Sequence, residues 1–309
     1  MKKRYLNTAI IFSFFIAALL VCIGIGCGDN DGVVKPPTPV YSADAIAAWS
    51  PDGQTIAFAW NGNPMLLPRA IYYSDPDGSN IRQLFSFGDL MPIIDLCWAP
   101  DSEWLAFTAL GWNVYKIKSD GDSLTQLTFT GDSPTCSWSY SDSLVAYNRI
   151  GEDSTGIWLM DTDGDNKMHF ISNGSHLDFA PGDSLFYEVS LGDGLGQLRM
   201  INVSDSASRL IGEMIAGQPY TTYYDPDVSN DGRMIAFNID DHIRIISCNG
   251  GDIITHTQKE AENPSWSPDD QYIVYCEADS LGGALRIMNR DGGDNHVLLD
   301  FDNLPQIVD

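Results

Sequence analysis

The sequence predicts an all-β chain folded as a six-bladed β-propeller, with four antiparallel strands in each blade. Three observations lead there. A segment typified by WSPDGQTIAFAW, Trp49 to Trp60, occurs six times in 309 residues. A second block, typified by IYYSDPDGSNIRQLF, follows each copy. No segment after the first forty residues repeats its apolar positions at helical intervals.

The first element precedes the repeats. Lys2, Lys3 and Arg4 lead into an apolar run from Ile10 to Ile25, which is short for a membrane span. A basic start, an apolar stretch and small residues before a break describe a secretory signal over residues 1–26. It ends Gly24-Ile25-Gly26-Cys27, which resembles the lipobox of bacterial lipoproteins. The resemblance implies lipidation of Cys27. Gly26 and Cys27 match the pattern, and Gly24 departs from it where Leu is usual. Residues 27–40, rich in Gly, Asp and Pro, read as an extended tether.

Residues 41–309 form the expected propeller. The six copies align on Trp49, Trp98, Trp138, Phe179, Val228 and Trp266, spaced 38 to 49 residues apart. Each unit reads as four strands. In the first, Ile46 to Ser50 leads into a Pro-Asp-Gly turn, and Thr55 to Trp60 returns as a β-branched and aromatic strand. Ile71–Ser74 and Ile81–Phe85 then flank the turn Asp75-Pro76-Asp77-Gly78. About 40 residues and four strands per unit is the period of propeller blades. The blades run approximately over 43–87, 92–130, 133–172, 175–212, 222–257 and 261–301. A motif repeated six times with its turn chemistry varied is scaffold rather than a reactive site.

The WSPDG-x-x-IAF block followed by IY-x-x-D-x-DG resembles the TolB-type, PD40-like propeller repeat. The likeness runs from Ala43 to about Phe301 and implies a six-bladed ring. TolB carries an α/β domain before its propeller, for which the tether here leaves no room. Fold alone does not fix function.

Charge narrows the partners. The net charge is −25, and loss of residues 1–26 would remove three basic residues and no acid. Nucleic acid is excluded by the missing basic footprint. Anionic lipid would repel the domain, so membrane attachment falls to the lipid on Cys27. Cys97, Cys136, Cys248 and Cys276 are too widely spaced to define a disulfide pattern.

Catalytic motifs are sparse. There is no G-x-S-x-G, and no hydrolase region of the kind that follows similar propellers in prolyl-oligopeptidase relatives. The five histidines, His169, His176, His242, His256 and His296, show no H-x-x-x-H spacing. Asp161, Asp163 and Asp165 in DTDGDN alternate as calcium ligands do, although the turn itself demands Asp and Gly. No cofactor other than calcium is suggested.

One alignment position stands out. First strands line a propeller's channel, so the residue three before each anchor should recur at one height. These residues are Ile46, Asp95, Thr135, His176, Asp225 and Asn263, with Asp178, Tyr223, Tyr224, Asp227 and Glu262 nearby in sequence. Five of the six are polar, suggesting a funnel for a peptide segment, a sugar or a cation. The expected role is an exported, lipid-anchored monomer that binds an envelope protein, periplasm-facing or at the cell surface. The insert Gly62 to Ala70 offers Met65, Leu66 and Leu67 as a second contact surface. The alternative is an envelope carbohydrate-active enzyme or sugar-binding protein with its site in the channel. The metal-holding histidines of similar oligogalacturonate lyases would weigh for that alternative, but only His176 falls on the ring.

Overall fold

In a computed structural model of the chain, the described residues are 45–304, except 62–68, 89–91, 110, 152–154, 193–194, 213–223, 240–241, 256, 258–260 and 278–282. The signal, the tether, Cys27, Met65 to Leu67, Tyr223 and His256 lie outside them.

The alternation within the second strand of each blade explains the ring. In β2 (Ile56–Trp60), Ile56, Phe58 and Trp60 face one side while Ala57 and Ala59 face the other. Both faces are buried, so the strand alternates large with small rather than apolar with polar. The same pattern places Leu105 and Phe107 of β6 (Trp104–Ala109) against the first blade, and Ala106 against the third. In β18 (Met234–Ile239), Ile235, Phe237 and Ile239 face the fourth blade, and Ala236 the sixth. Bulk therefore points to the preceding blade, and smaller residues receive the bulk of the next, except in blade 4, where Phe186 faces blade 5. Six apolar clusters result, one between each pair of neighbouring blades.

Each blade is a four-stranded antiparallel sheet whose strands follow chain order. Blade 1 holds β1 (Ala45–Trp49), β2, β3 (Ala70–Ser74) and β4 (Arg82–Phe85). Blade 2 holds β5 (Ile93–Trp98), β6, β7 (Asn113–Lys118) and β8 (Thr125–Gln126). Blade 3 holds β9 (Cys136–Trp138), β10 (Leu144–Arg149), β11 (Gly156–Asp161) and β12 (Met168–Ser172). Blade 4 holds β13 (Gly174–Ala180), β14 (Ser184–Gly192), β15 (Leu195–Asn202) and β16 (Ser208–Gly212). Blade 5 holds β17 (Tyr224–Val228), β18, β19 (His242–Ser247) and β20 (Ile254–Thr255). Blade 6 holds β21 (Ala261–Trp266), β22 (Tyr272–Glu277), β23 (Ala284–Asn289) and β24 (His296–Asp300). The first strands β1, β5, β9, β13, β17 and β21 adjoin one another around the axis, with β21 returning to β1.

Among the described residues the ring closes by side-chain packing and hydrogen bonds, each blade keeping its own four strands. Phe301, directly after β24, packs against Trp60 in a tilted pair with ring centroids 4.2 Å apart. Trp49 N–H donates to Ser265 Oγ at 3.3 Å, and Asn263 Nδ2 donates to Ala45 O at 3.0 Å.

The WSPDG letters have separate structural jobs. Ser50 Oγ accepts the N–H of Thr55 at 3.0 Å, and Asp52 Oδ1 accepts that of Gln54 at 3.0 Å. Ser229 and Asp231 repeat both bonds with Met234 and Arg233. The fourth residue after each anchor takes a positive φ: Gly53, Ser102, Asp142, Asp183, Gly232 and Asp270. At three of these positions a side chain reaches the preceding turn. Ser102 Oγ accepts from Asp52 N at 3.1 Å, Asp183 Oδ1 from Ser141 N at 3.1 Å, and Asp270 Oδ1 from Asn230 N at 2.6 Å. The turn face is thus laced in pairs, blades 1–2, 3–4 and 5–6.

Candidate functional site in the central channel

The six inner strands enclose a central cavity of about 270 Å³. Ile46, Asp95, Thr135, His176, Asp225 and Asn263 all line it. The backbone turns three of them into place. His176, Asp225 and Asn263 have φ of 44°, 47° and 52°. Each lies where the pairing of first and second strands shifts register: Ser175/Leu177, Tyr224/Asp227 and Glu262/Ser265. These are β-bulges, which redirect a side chain at the expense of a ladder bond. Asn, Asp and His are the residues, besides Gly, that most often take this left-handed backbone.

Hydrogen bonding divides the ring by job. Asp95 Oδ2 accepts the N–H of Cys136 at 2.7 Å and so joins blade 2 to blade 3. Thr135 is held within its own blade, its Oγ1 donating to Asn148 Oδ1 at 2.7 Å. Asn263 belongs to the closure of blades 6 and 1. His176 Nδ1 lies 2.8 Å from Glu188 Oε2. Asp225 accepts no hydrogen bond among the described residues.

A second ring, one residue before the anchors, carries the inter-blade clasp. Ser137 Oγ accepts the N–H of Phe179 at 3.0 Å. Asp178 Oδ2 accepts that of Val228 at 3.0 Å, and Asp227 Oδ2 that of Trp266 at 2.5 Å. Ser265 completes the set with Trp49. The remaining two members are Ala48 and Cys97. At Ala48 the bond is made instead by Trp98 Nε1, which donates to the Ala48 carbonyl at 3.1 Å. The structure holds Cys97, Cys136, Cys248 and Cys276 as thiols, with Cys97 beside Cys136.

A third ring stands behind the first, on the second strands. Asp95 pairs with Thr108, Ser175 with Glu188, and Tyr224 with Asn238. With Asn148, these are buried polar side chains in otherwise apolar strands. Glu188 Oε1 and Asn238 Oδ1 are buried without a hydrogen-bond partner among the described residues. The sequence reading missed this ring, although the fourth residue of LAFT, VAYN, LFYE and IAFN displays it.

The charges are mutually constrained. Burial pushes Asp95 and Asp178 up to about 7. Asp225 is also raised by burial, with His176 opposing. Asp227 lies well above its ordinary value through burial and the nearby Asp178. Burial would lower His176, but its bond and charge contact with Glu188, together with Asp225 and Asp95, raise it. At the turn end Tyr140 stands where four blades have Pro, and its hydroxyl donates to Asn230 Oδ1 of blade 5 at 3.4 Å. That link narrows the mouth.

The other candidates lie apart. Asp161, Asp163 and Asp165 sit at the β11–β12 turn of blade 3. Asn166 Nδ2 donates to Asp161 Oδ2 at 2.6 Å, and Asp165 N–H to Asp163 Oδ1 at 3.3 Å. The corresponding turn of blade 1 has the same bonds at Asp75 and Asp77. Among the described residues no group of three or more His, Cys, Asp or Glu is placed to hold a metal ion.

Against this geometry, solved structures offer clear parallels. TolB from Acinetobacter baumannii superposes with a TM-score of 0.61 at 17% identity, covering 80% of this chain and 61% of that one. A putative TolB from Agrobacterium tumefaciens gives 0.60 at 18% identity, covering 71% and 84%. The fold is TolB-like. The chain spans about three-fifths of the Acinetobacter protein. An oligogalacturonate lyase from Vibrio parahaemolyticus gives 0.50 at 12% identity, covering 80% and 92%. At these identities the shared property is the fold. No protein-family model matches the sequence, and no curated protein matches it.

Proposed function

We propose that this protein is an exported, lipid-anchored propeller that binds a segment of a partner protein at its central channel, at the bacterial cell envelope. The signal and Cys27 motif support export and anchoring, and the TolB-like fold supports a binding role. The observation that carries the channel as the site is Asp225. Asp95, Asp178 and Asp227 are occupied in clasping blades, whereas Asp225 faces the cavity on a bulge and accepts no hydrogen bond among the described residues. The carbohydrate-active alternative shares the cavity, but no residue in it is singled out as an acid or nucleophile for that chemistry.

The test is cross-linked capture from envelope fractions with the wild type, with Asp225→Asn plus His176→Gln, and with the remote Asp163→Asn. A discrete partner retained by Asp163→Asn and lost by the channel variant is the expected result. A partner that ignores the channel variant moves the contact to the blade loops and refutes the channel reading.

A further inference from the structure

We infer that the blade 4–5 arc of the channel holds an organic cation, a guanidinium or ammonium group, with Asp225 as its direct partner and the buried Glu188–His176 pair behind it. The inference rests on the reading that the channel is where a partner is met, and it names the chemistry of the group received.

Three observations combine. Asp225 is half-buried, faces the cavity and accepts no hydrogen bond among the described residues. Glu188 is an independent signal. Its side chain is only 2% exposed, one oxygen is fixed by the channel-lining His176 ring at 2.8 Å, and the other has no partner among the described residues. A buried carboxylate oxygen left in that state is unused acceptor capacity directly behind the channel-lining His176. The described wall also contains no Lys or Arg, so among the described lining residues only His176 offers a positive charge to this arc. A cation in a narrow, partly water-excluded channel is attracted more strongly than on an open surface.

The groups facing the arc fix the pH behaviour. They are Asp95 on β5, His176 and Asp178 on β13, Glu188 on β14, and Asp225 and Asp227 on β17, with the Cys97 and Cys136 thiols beside Asp95 and Tyr140 at the mouth. Several hold protons near neutral pH, and a bound cation would displace them. Affinity should therefore rise from pH 6 to pH 8.

The experiment titrates purified full-length protein with butylguanidinium and with the neutral butylurea, following the His176 ring signals by NMR. Saturable shifts are expected for butylguanidinium alone, tightening with pH. Asp225→Asn should bind about tenfold more weakly, and Asp163→Asn should bind as wild type does. Asn tolerates the left-handed backbone at this position. Glu188→Gln keeps an acceptor for His176 but removes the charge, and should also weaken binding. An equal response to butylurea, or unchanged affinity in Asp225→Asn, overturns the proposal. The two readings fail differently. A captured partner that butylguanidinium does not displace refutes the channel as the partner site while the cation site stands. A channel-dependent partner without saturable butylguanidinium binding refutes the cation site alone.

Discussion

Asp178 accepts the backbone N–H of Val228 at 3.0 Å and the hydroxyl of Ser137 at 2.8 Å, so one side chain joins three consecutive blades. The bonds replace inter-blade sheet pairing, which the radial arrangement of the sheets excludes.

Asp178→Ala should leave the Val228 N–H without its acceptor, at a cost of about 1–3 kcal/mol for a buried donor. Asp178→Asn retains an acceptor oxygen and should lose less. Urea unfolding of both variants measures the difference, and equal midpoints would deny the clasp its role.

Asp95 and Asp178, pushed up to about 7 by burial, make stability fall as pH rises. An unfolded carboxyl titrates near 4, so between about pH 4 and 7 the folded chain holds more protons than the unfolded one. The slope of unfolding free energy against pH is then negative. Their stabilising contribution is present at low pH and lost as pH rises through about 7. The melting temperature should fall by a few degrees from pH 5.5 to 8, and the Asp178→Asn variant should flatten the slope. A melting temperature that rises over this range would contradict the shifts.

Gly78 serves two needs at one turn. Its φ is +80°, and a Cβ there would stand 2.5 Å from the Leu298 carbonyl oxygen of blade 6. Gly78→Ala should therefore destabilise by more than about 1 kcal/mol. Gly53, with φ +71° and nothing nearer its added Cβ than 3.8 Å, should tolerate Ala better. Thermal unfolding of the two variants side by side checks the order.

Phe301→Ala should open the seam between blades 6 and 1. The ring is 2% exposed and packs tilted against Trp60, and truncating such a side chain costs about 3–5 kcal/mol. Hydrogen exchange should speed first in β1, β2 and β24. Uniform acceleration across all blades would argue against a local seam.

The repeat was legible because each blade solves the same local problem with the same letters. Trp, Ser, Asp and a left-handed residue recur where anchor, turn closure and reversal recur. The inner ring was legible by alignment alone, since equal position in equal blades means equal height. Hydrogen bonding was not. Asp95 and Asn263 resemble Asp225 in the sequence, yet they hold neighbouring blades. Their roles depend on a partner 41 residues ahead of Asp95 and 218 residues before Asn263. Glu188 escaped notice because LFYEVS reads as an ordinary strand until its register places it behind His176. Ring closure was equally hidden, because Phe301 meets Trp60 only after five other blades have set the angle.

The large-to-small packing gives every blade a front and a back. Each junction is therefore head-to-tail, as in a cyclic oligomer whose subunits happen to be joined in one chain. A linear stack of such units would leave an apolar face at either end and need polar caps to stay soluble. Here the bulk of Ile56, Phe58 and Trp60 on blade 1 meets Val274 and Cys276 on blade 6. The circle thus uses its own first repeat as the cap for its last, and no unit needs a polar outer face.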